Sequence, residues 1–194
     1  MKKMIMPAFV ALALTAASCD GNKEDKDTVN TDVTTTEQTT TAGGDTAGTN
    51  AATGAAANDV SFAMAVADGG LLEVKLGQLA QKSGSNSRIK ELGKMLEDDH
   101  TKANDELIVW AMKNSISLPT TMSAEKQAKY DSLAALKGAA FDRAFAATMV
   151  ANHEKNIGVF KTQADQGSNA ELKAWAAGKL PVLEHHLQMA KGVK

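Results

Sequence analysis

Three interruptions frame this sequence: Ser-Gly-Ser-Asn-Ser at 83–87, the stretch around Pro119, and Gln-Gly-Ser at 166–168. Between them run long segments rich in Ala, Leu, Lys and Glu, the residues that cost least in a helix. Glycine and proline end helices more readily than they continue them. The pattern therefore predicts helices at about 60–82, 87–114, 139–166 and 169–191, with a shorter one at about 124–136. Ser168 with Glu171 three residues on forms a capping-box pattern, and Gly167 stands where the preceding helix should stop. Pro181 falls inside the last helix on the polar side of its wheel, so a kink is expected there. Aromatics are only 4% of the chain, and no alternating β-branched run occurs outside a Thr-rich tract, which excludes a β-sandwich.

Two short turns make two antiparallel hairpins, and the connection of about 24 residues between them can travel back along a bundle. The expected fold is all-α: a ferritin-like four-helix bundle with a long crossover carrying a short extra helix. A simple up-down bundle is the alternative.

The first residues, Met-Lys-Lys-Met-Ile-Met-Pro-Ala-Phe-Val-Ala-Leu-Ala-Leu-Thr-Ala-Ala-Ser-Cys, combine a basic start, a short apolar run and small residues. That is a secretory signal, expected to span residues 1–18, and its apolar run is too short to span a bilayer. Ala16-Ala17-Ser18-Cys19 is similar to a bacterial lipobox, which makes Cys19 the expected lipidation site and a membrane anchor. Ala16 departs from the leucine usual there, and the alternative is an ordinary signal that leaves Cys19 a free thiol. Residues 20–58, dominated by Thr, Ala, Gly, Asn and Asp, contain little that could build a core and read as a disordered tether. Residues 59–194 are the bundle domain. The expected address is the cell envelope, as a lipoprotein anchored in the outer membrane or facing the periplasm.

From position 59 onward 17 Lys and Arg face 16 Asp and Glu, and the whole chain has a formal charge of -2, so no nucleic-acid partner is expected. One cysteine precludes an intrachain disulfide. Phosphate-binding and dinucleotide-binding glycine motifs, a serine nucleophile elbow and paired Cys-x-x-Cys are all missing from the sequence. No reaction is therefore assigned.

Charge on an apolar helix stripe is the informative exception. In the first helix Phe62, Val66, Gly69, Leu76 and Ala80 share a side, with Glu73 in their midst. His100 lies on the stripe of the second helix with Asp99 at its edge. His153 and Asp142 lie on that of the third and His186 on that of the fourth, whereas His185 turns to the polar flank. At a rise of about 1.5 Å per residue, Glu73, His100, His153 and His186 all come near mid-helix, and Asp142 belongs to a different layer.

Two readings of this layer stand side by side. In the first, Glu73, His100, His153 and His186 hold a transition metal, with zinc, copper or iron as the candidates, since neutral imidazoles and a carboxylate suit those ions. In the second, the layer is a structural hydrogen-bonded network in a non-catalytic envelope interaction or stress-related module. Glu97 and His100 form a single Glu-x-x-His, but the fourth helix has no counterpart, which disfavours a di-iron carboxylate centre. Met149, one turn before His153, offers a thioether suited to copper(I), although packing explains it as well. Trp110 and Trp175 read as core residues.

Taken together, Gly-Gly-Leu-Leu-Glu at 69–73, Asp-Asp-His at 98–100, Ser-Leu-Pro-Thr-Thr-Met at 117–122, Phe-Asp at 141–142, the segment from His153 to Phe160 and Leu-Pro-Val-Leu-Glu-His-His at 180–186 resemble the exported bacterial family known as domain of unknown function 4142. The resemblance runs from about Phe62 to Leu187. It implies a ferritin-like helical bundle and places Glu73, Asp99, His100, Phe141, Asp142, His153 and His186 at motif positions. It leaves out Glu97 and His185, and it carries no assigned activity.

Overall fold

The computed structural model describes residues 49–193, with side chains from residue 57. The expected signal, Cys19 and the tether up to residue 48 lie outside the described residues. Within them the chain forms α1 (Thr49–Ser83), α2 (Ser87–Lys113), α3 (Ala124–Ala134), α4 (Gly138–Gln166) and α5 (Ala170–Gly192). These bounds agree with the sequence expectation to within two residues, except at the start of α1. That helix begins at Thr49 rather than near 60, because 49–58 is half alanine: poor in core-building side chains, yet strongly helix-forming. None of the helices is long and apolar enough to cross a membrane.

The cap of α5 also differs from expectation. Asn169, not Ser168, is the N-cap, and its side-chain oxygen accepts from the Leu172 N–H at 2.9 Å. α5 begins at Ala170, so Asn169 is the residue immediately before it, and Ser168, one residue further out, donates its N–H to Asp59 from the other hairpin. Pro181 lies within α5 on the exposed face, as its wheel position predicts.

That Asp59 contact is one of a reciprocal pair. The Asp59 carboxylate accepts from the backbone N–H of Ser168 (3.2 Å) and Asn169 (2.7 Å) and from the Gln163 side-chain amide (2.6 Å). At the opposite end Asp142 of α4 accepts from the N–H of Ser85 (3.0 Å) and Asn86 (2.9 Å) and from the Ser85 hydroxyl. Each hairpin thus supplies a buried carboxylate to the turn of the other. The same offset of 83 residues relates Asp59 to Asp142, Phe62 to Phe145 and Gly84-Ser85-Asn86 to Gly167-Ser168-Asn169. The clamp is therefore an internal repeat written into both halves.

The clamps define the topology. Asp142, near the start of α4, sits by the start of α2, so these helices run parallel, and Asp59 likewise aligns α1 with α5. Residues 114–137 must then travel the length of the bundle, which is the expected long crossover and not an up-down order. Its helix α3 is tied to α1 through Ser123, whose N–H and hydroxyl donate to Asp68 at 2.7 and 2.8 Å, and it buries Leu133.

Along the axis the apolar core is split. One cluster, near the 84–86 turn, contains Leu76, Leu92, Leu96, Phe141, Phe145 and Met149. The other, near the 167–169 turn, contains Phe62, Leu107, Trp110, Phe160, Leu172 and Leu183. Between them on α1, α2, α4 and α5 stand Glu73, His100, His153 and His186. Close approach of α1 and α2 depends on two glycines: a methyl on Gly77 would come within 2.5 Å of the Gly93 carbonyl oxygen, and one on Gly93 within 2.7 Å of the Ala80 side chain.

Burial opposes ionisation of Asp142, but the donors from Ser85 and Asn86 outweigh it and hold the carboxyl below its ordinary value. Its contribution is thus present at neutral pH and lost as pH falls through that lowered value. Asp142→Ala and Asp59→Ala should each cost about 1.5–3 kcal/mol, since each strands buried amide donors. The two sites lie roughly 36 Å apart along α1, so their costs should add. Urea unfolding of the single and double variants checks this; a loss below 0.5 kcal/mol for either (about the ordinary effect of a surface substitution) would refute the clamp.

Candidate metal centre

At mid-bundle His153 and His186 are almost wholly enclosed, at 0% and 1% exposure, and His100 is half-buried. The ring centroids are 5.3 Å apart for His153 and His186, 5.5 Å for His100 and His186, and 5.9 Å for His100 and His153. Each histidine offers a ring nitrogen such that all three lie within 4.8 Å of one another. The convergence expected from three helical wheels is thus present.

The outer nitrogens determine which atoms face inward. His153 Nδ1 lies 2.9 Å from the Met149 carbonyl oxygen, which can only accept, so Nδ1 carries the hydrogen and Nε2 presents its lone pair. His186 Nε2 lies 2.9 Å from the Asp99 carboxylate and donates to it, leaving Nδ1 bare in the neutral ring. These two bare nitrogens face each other at 3.3 Å. Two lone pairs at that distance repel unless a proton or a cation lies between them. The buried His100 Nε2 is a third nitrogen without a hydrogen-bond partner.

Burial favours the unprotonated forms of His100 and His186. Burial, reinforced by His153 and His186, puts His100 well below the ordinary histidine value. Burial also lowers His186, with Asp99 opposing. Neutral imidazole is the metal-binding form.

Glu73, the fourth expected ligand, is 2% exposed but lies outside the set of atoms within 4.8 Å. Its partner is not a histidine: Oε1 accepts from the Asn152 amide at 2.9 Å, and Oε2 has no partner. Burial raises its carboxyl above the ordinary value, opposed by His153, Asn152, Lys129 and Lys126. Glu97 takes no part, because its carboxylate is bound by Gln78 (2.9 Å) and Gln81 (2.6 Å) of α1. The Met149 sulfur belongs to the apolar cluster, and only its carbonyl serves the site. Trp110 is core, as expected, and donates to Asn169 at 3.0 Å. Trp175 is only partly buried and donates to Glu106 at 2.9 Å.

Sequence reasoning placed Asp99 at a stripe edge and did not see Asn152 as a partner. The available signal was the Asp99-His100 pair: neighbours on a helix point about 100° apart, so Asp99 serves a histidine of another helix.

The family model for a domain of unknown function, DUF4142, matches residues 44–193. The chain belongs to the DUF4142 family. No curated protein matches it. Among solved structures, the DUF4142 chain is similar to a DUF305 fragment from Deinococcus radiodurans, with 12% identity, a TM-score of 0.62 and coverage of 70% of this chain and 94% of that one. A DUF305 protein from Streptomyces coelicolor shows 13% identity, a TM-score of 0.59 and coverage of 69% and 88%. These likenesses establish a shared helical-bundle fold.

In the metal-free DUF4142 chain, lowered His100 and His186 mean that the unfolded state binds more protons as pH falls through about 6.5. Stability should then fall on acidification by up to about 1.4 kcal/mol per pH unit for each ring. Raised Glu73 works in the opposite direction, stabilising below its ordinary value and losing that contribution as pH rises through its folded value, but it is one proton against two. Urea midpoints at pH 7.5 and 5.5 in chelator measure the sum. A midpoint that rises at pH 5.5 would contradict the assignment of neutral His100 and His186.

Proposed function

We propose that this DUF4142 chain is a metal-binding module of the cell envelope, with zinc as the ion that suits its nitrogens best. One observation carries the reading: His153 Nε2 and His186 Nδ1 face each other at 3.3 Å with no hydrogen available to either when both rings are neutral. Two ligand nitrogens on a tetrahedral ion with bonds of 2.0–2.1 Å stand about 3.3–3.4 Å apart, whereas neighbouring ones on a square-planar ion stand about 2.9 Å apart. The spacing of this one pair suits tetrahedral zinc. His100 Nε2 supplies a third nitrogen, and Glu73 Oε2, buried and without a hydrogen-bond partner, is available as a fourth ligand after a side-chain movement. Met149 carbonyl and Asp99 orient two of the rings from outside, as outer-shell groups of metal-bound histidines do.

Elemental analysis of the purified, untagged chain after zinc repletion should find near-stoichiometric zinc, lost in His100→Ala and His186→Ala. Asp99→Asn should weaken affinity by about 10–100-fold while leaving helical circular dichroism unchanged. Persistent absence of metal in a folded chain would overturn the reading in favour of a structural layer with one proton shared between His153 and His186.

Export and anchoring rest on the sequence around residues 1–19. Labelling of the chain by a fatty-acid probe in a bacterial host, abolished by Cys19→Ser, is the expected result; an unlabelled wild-type chain would refute the anchor.

A further inference from the structure

A cavity of about 260 Å³ leads outward from the histidine layer. Glu73, His100 and His186 line its inner part, and Val159, Phe160 and Trp175 give it an apolar wall. Five lysines also line it: Lys102, Lys126, Lys129, Lys155 and Lys179. Three are engaged, Lys129 with Asn152 at 3.2 Å, Lys126 with Glu125 at 3.4 Å, and Lys179 with Glu106. Lys102 and Lys155 are exposed and form no close ion pair among the described residues, Lys102 acting only at longer range on the Glu106 carboxylate. Of the carboxylates in the lining, Asp99 is occupied by His186 and Glu125 by Lys126. Five lysines against the three carboxylates Glu73, Asp99 and Glu125 leave positive charge in excess beside an apolar wall.

We propose that this cleft binds a small organic carboxylate. Its charged group is drawn in by Lys102 and Lys155, and its apolar part lies on Val159, Phe160 and Trp175. A hydrocarbon would gain nothing from the lysines, and a compact inorganic anion nothing from the aromatic wall. The ligand carboxylate sits at the lysines and not on the ion, so the proposal stands independently of the metal reading.

Benzoate, inorganic phosphate and benzylamine, titrated calorimetrically into the purified chain with and without zinc, test this. Benzoate should bind, more tightly than phosphate, with an affinity that falls as salt is added. Lys102→Gln combined with Lys155→Gln should weaken benzoate roughly fivefold, the scale of two exposed charge contacts. The urea midpoint of that variant should match the wild type, since neither side chain packs in the core. Absence of benzoate binding, benzylamine binding of equal strength, or benzoate affinity untouched by the double variant would overturn the proposal. Zinc content measured on the same samples keeps the two readings apart. Zinc without benzoate binding sinks this inference alone, and lysine-dependent benzoate binding without zinc sinks the metal reading alone.

Discussion

Two buried aspartates, each reaching from one hairpin into the turn of the other, carry the rest of this structure. A helix start leaves backbone N–H groups without intrahelical partners, and at α2 and α5 part of that deficit is met from across the bundle by Asp142 and Asp59. Such a contact fixes the height of one hairpin against the other. A slip of one helical turn is about 5.4 Å, more than the whole spread of the three histidine nitrogens. The clamps at the ends of the bundle are thus what keep the site at its middle in register.

The histidine layer has a cost that the two apolar clusters must offset. It interrupts a continuous core with a carboxylate, three imidazoles and at least two buried polar atoms lacking partners. A layer meant only to be stable would be filled more cheaply with leucine. Here the outward nitrogens of His153 and His186 are satisfied and the inward ones are not. The unmet valence is concentrated at one point, which is where an ion would meet it.

Much of this was legible in the sequence. Ser-Gly-Ser-Asn at 83–86 and Gly167-Ser168 divide long helix-forming segments, so the helices and the crossover followed from local preference. Glu73, His100, His153 and His186 stood out because ionisable groups are rare on apolar stripes. Asp99 did not, since it lies at an edge and acts on a helix 87 residues away. The clamps rest on contacts spanning 57 and 110 residues, which no helical wheel can reveal. Their trace was nevertheless present as the repeated Asp-x-x-Phe and Gly-Ser-Asn at one offset. The early start of α1 was missed for the opposite reason: alanine was read as a lack of core when it was also a surplus of propensity.

The reciprocity of the clamps has a further result. Neither hairpin closes its own turn, so each is the other's missing piece, and the carboxylates make the same contacts whether the second hairpin arrives along the same chain or from another copy. The crossover decides between these. By pinning α3 to α1 through Ser123 and Asp68, it makes the nearest hairpin the correct one. Loosening that tie would turn an intramolecular match into exchange of halves between chains, the route by which folds built from interchangeable elements become swapped dimers.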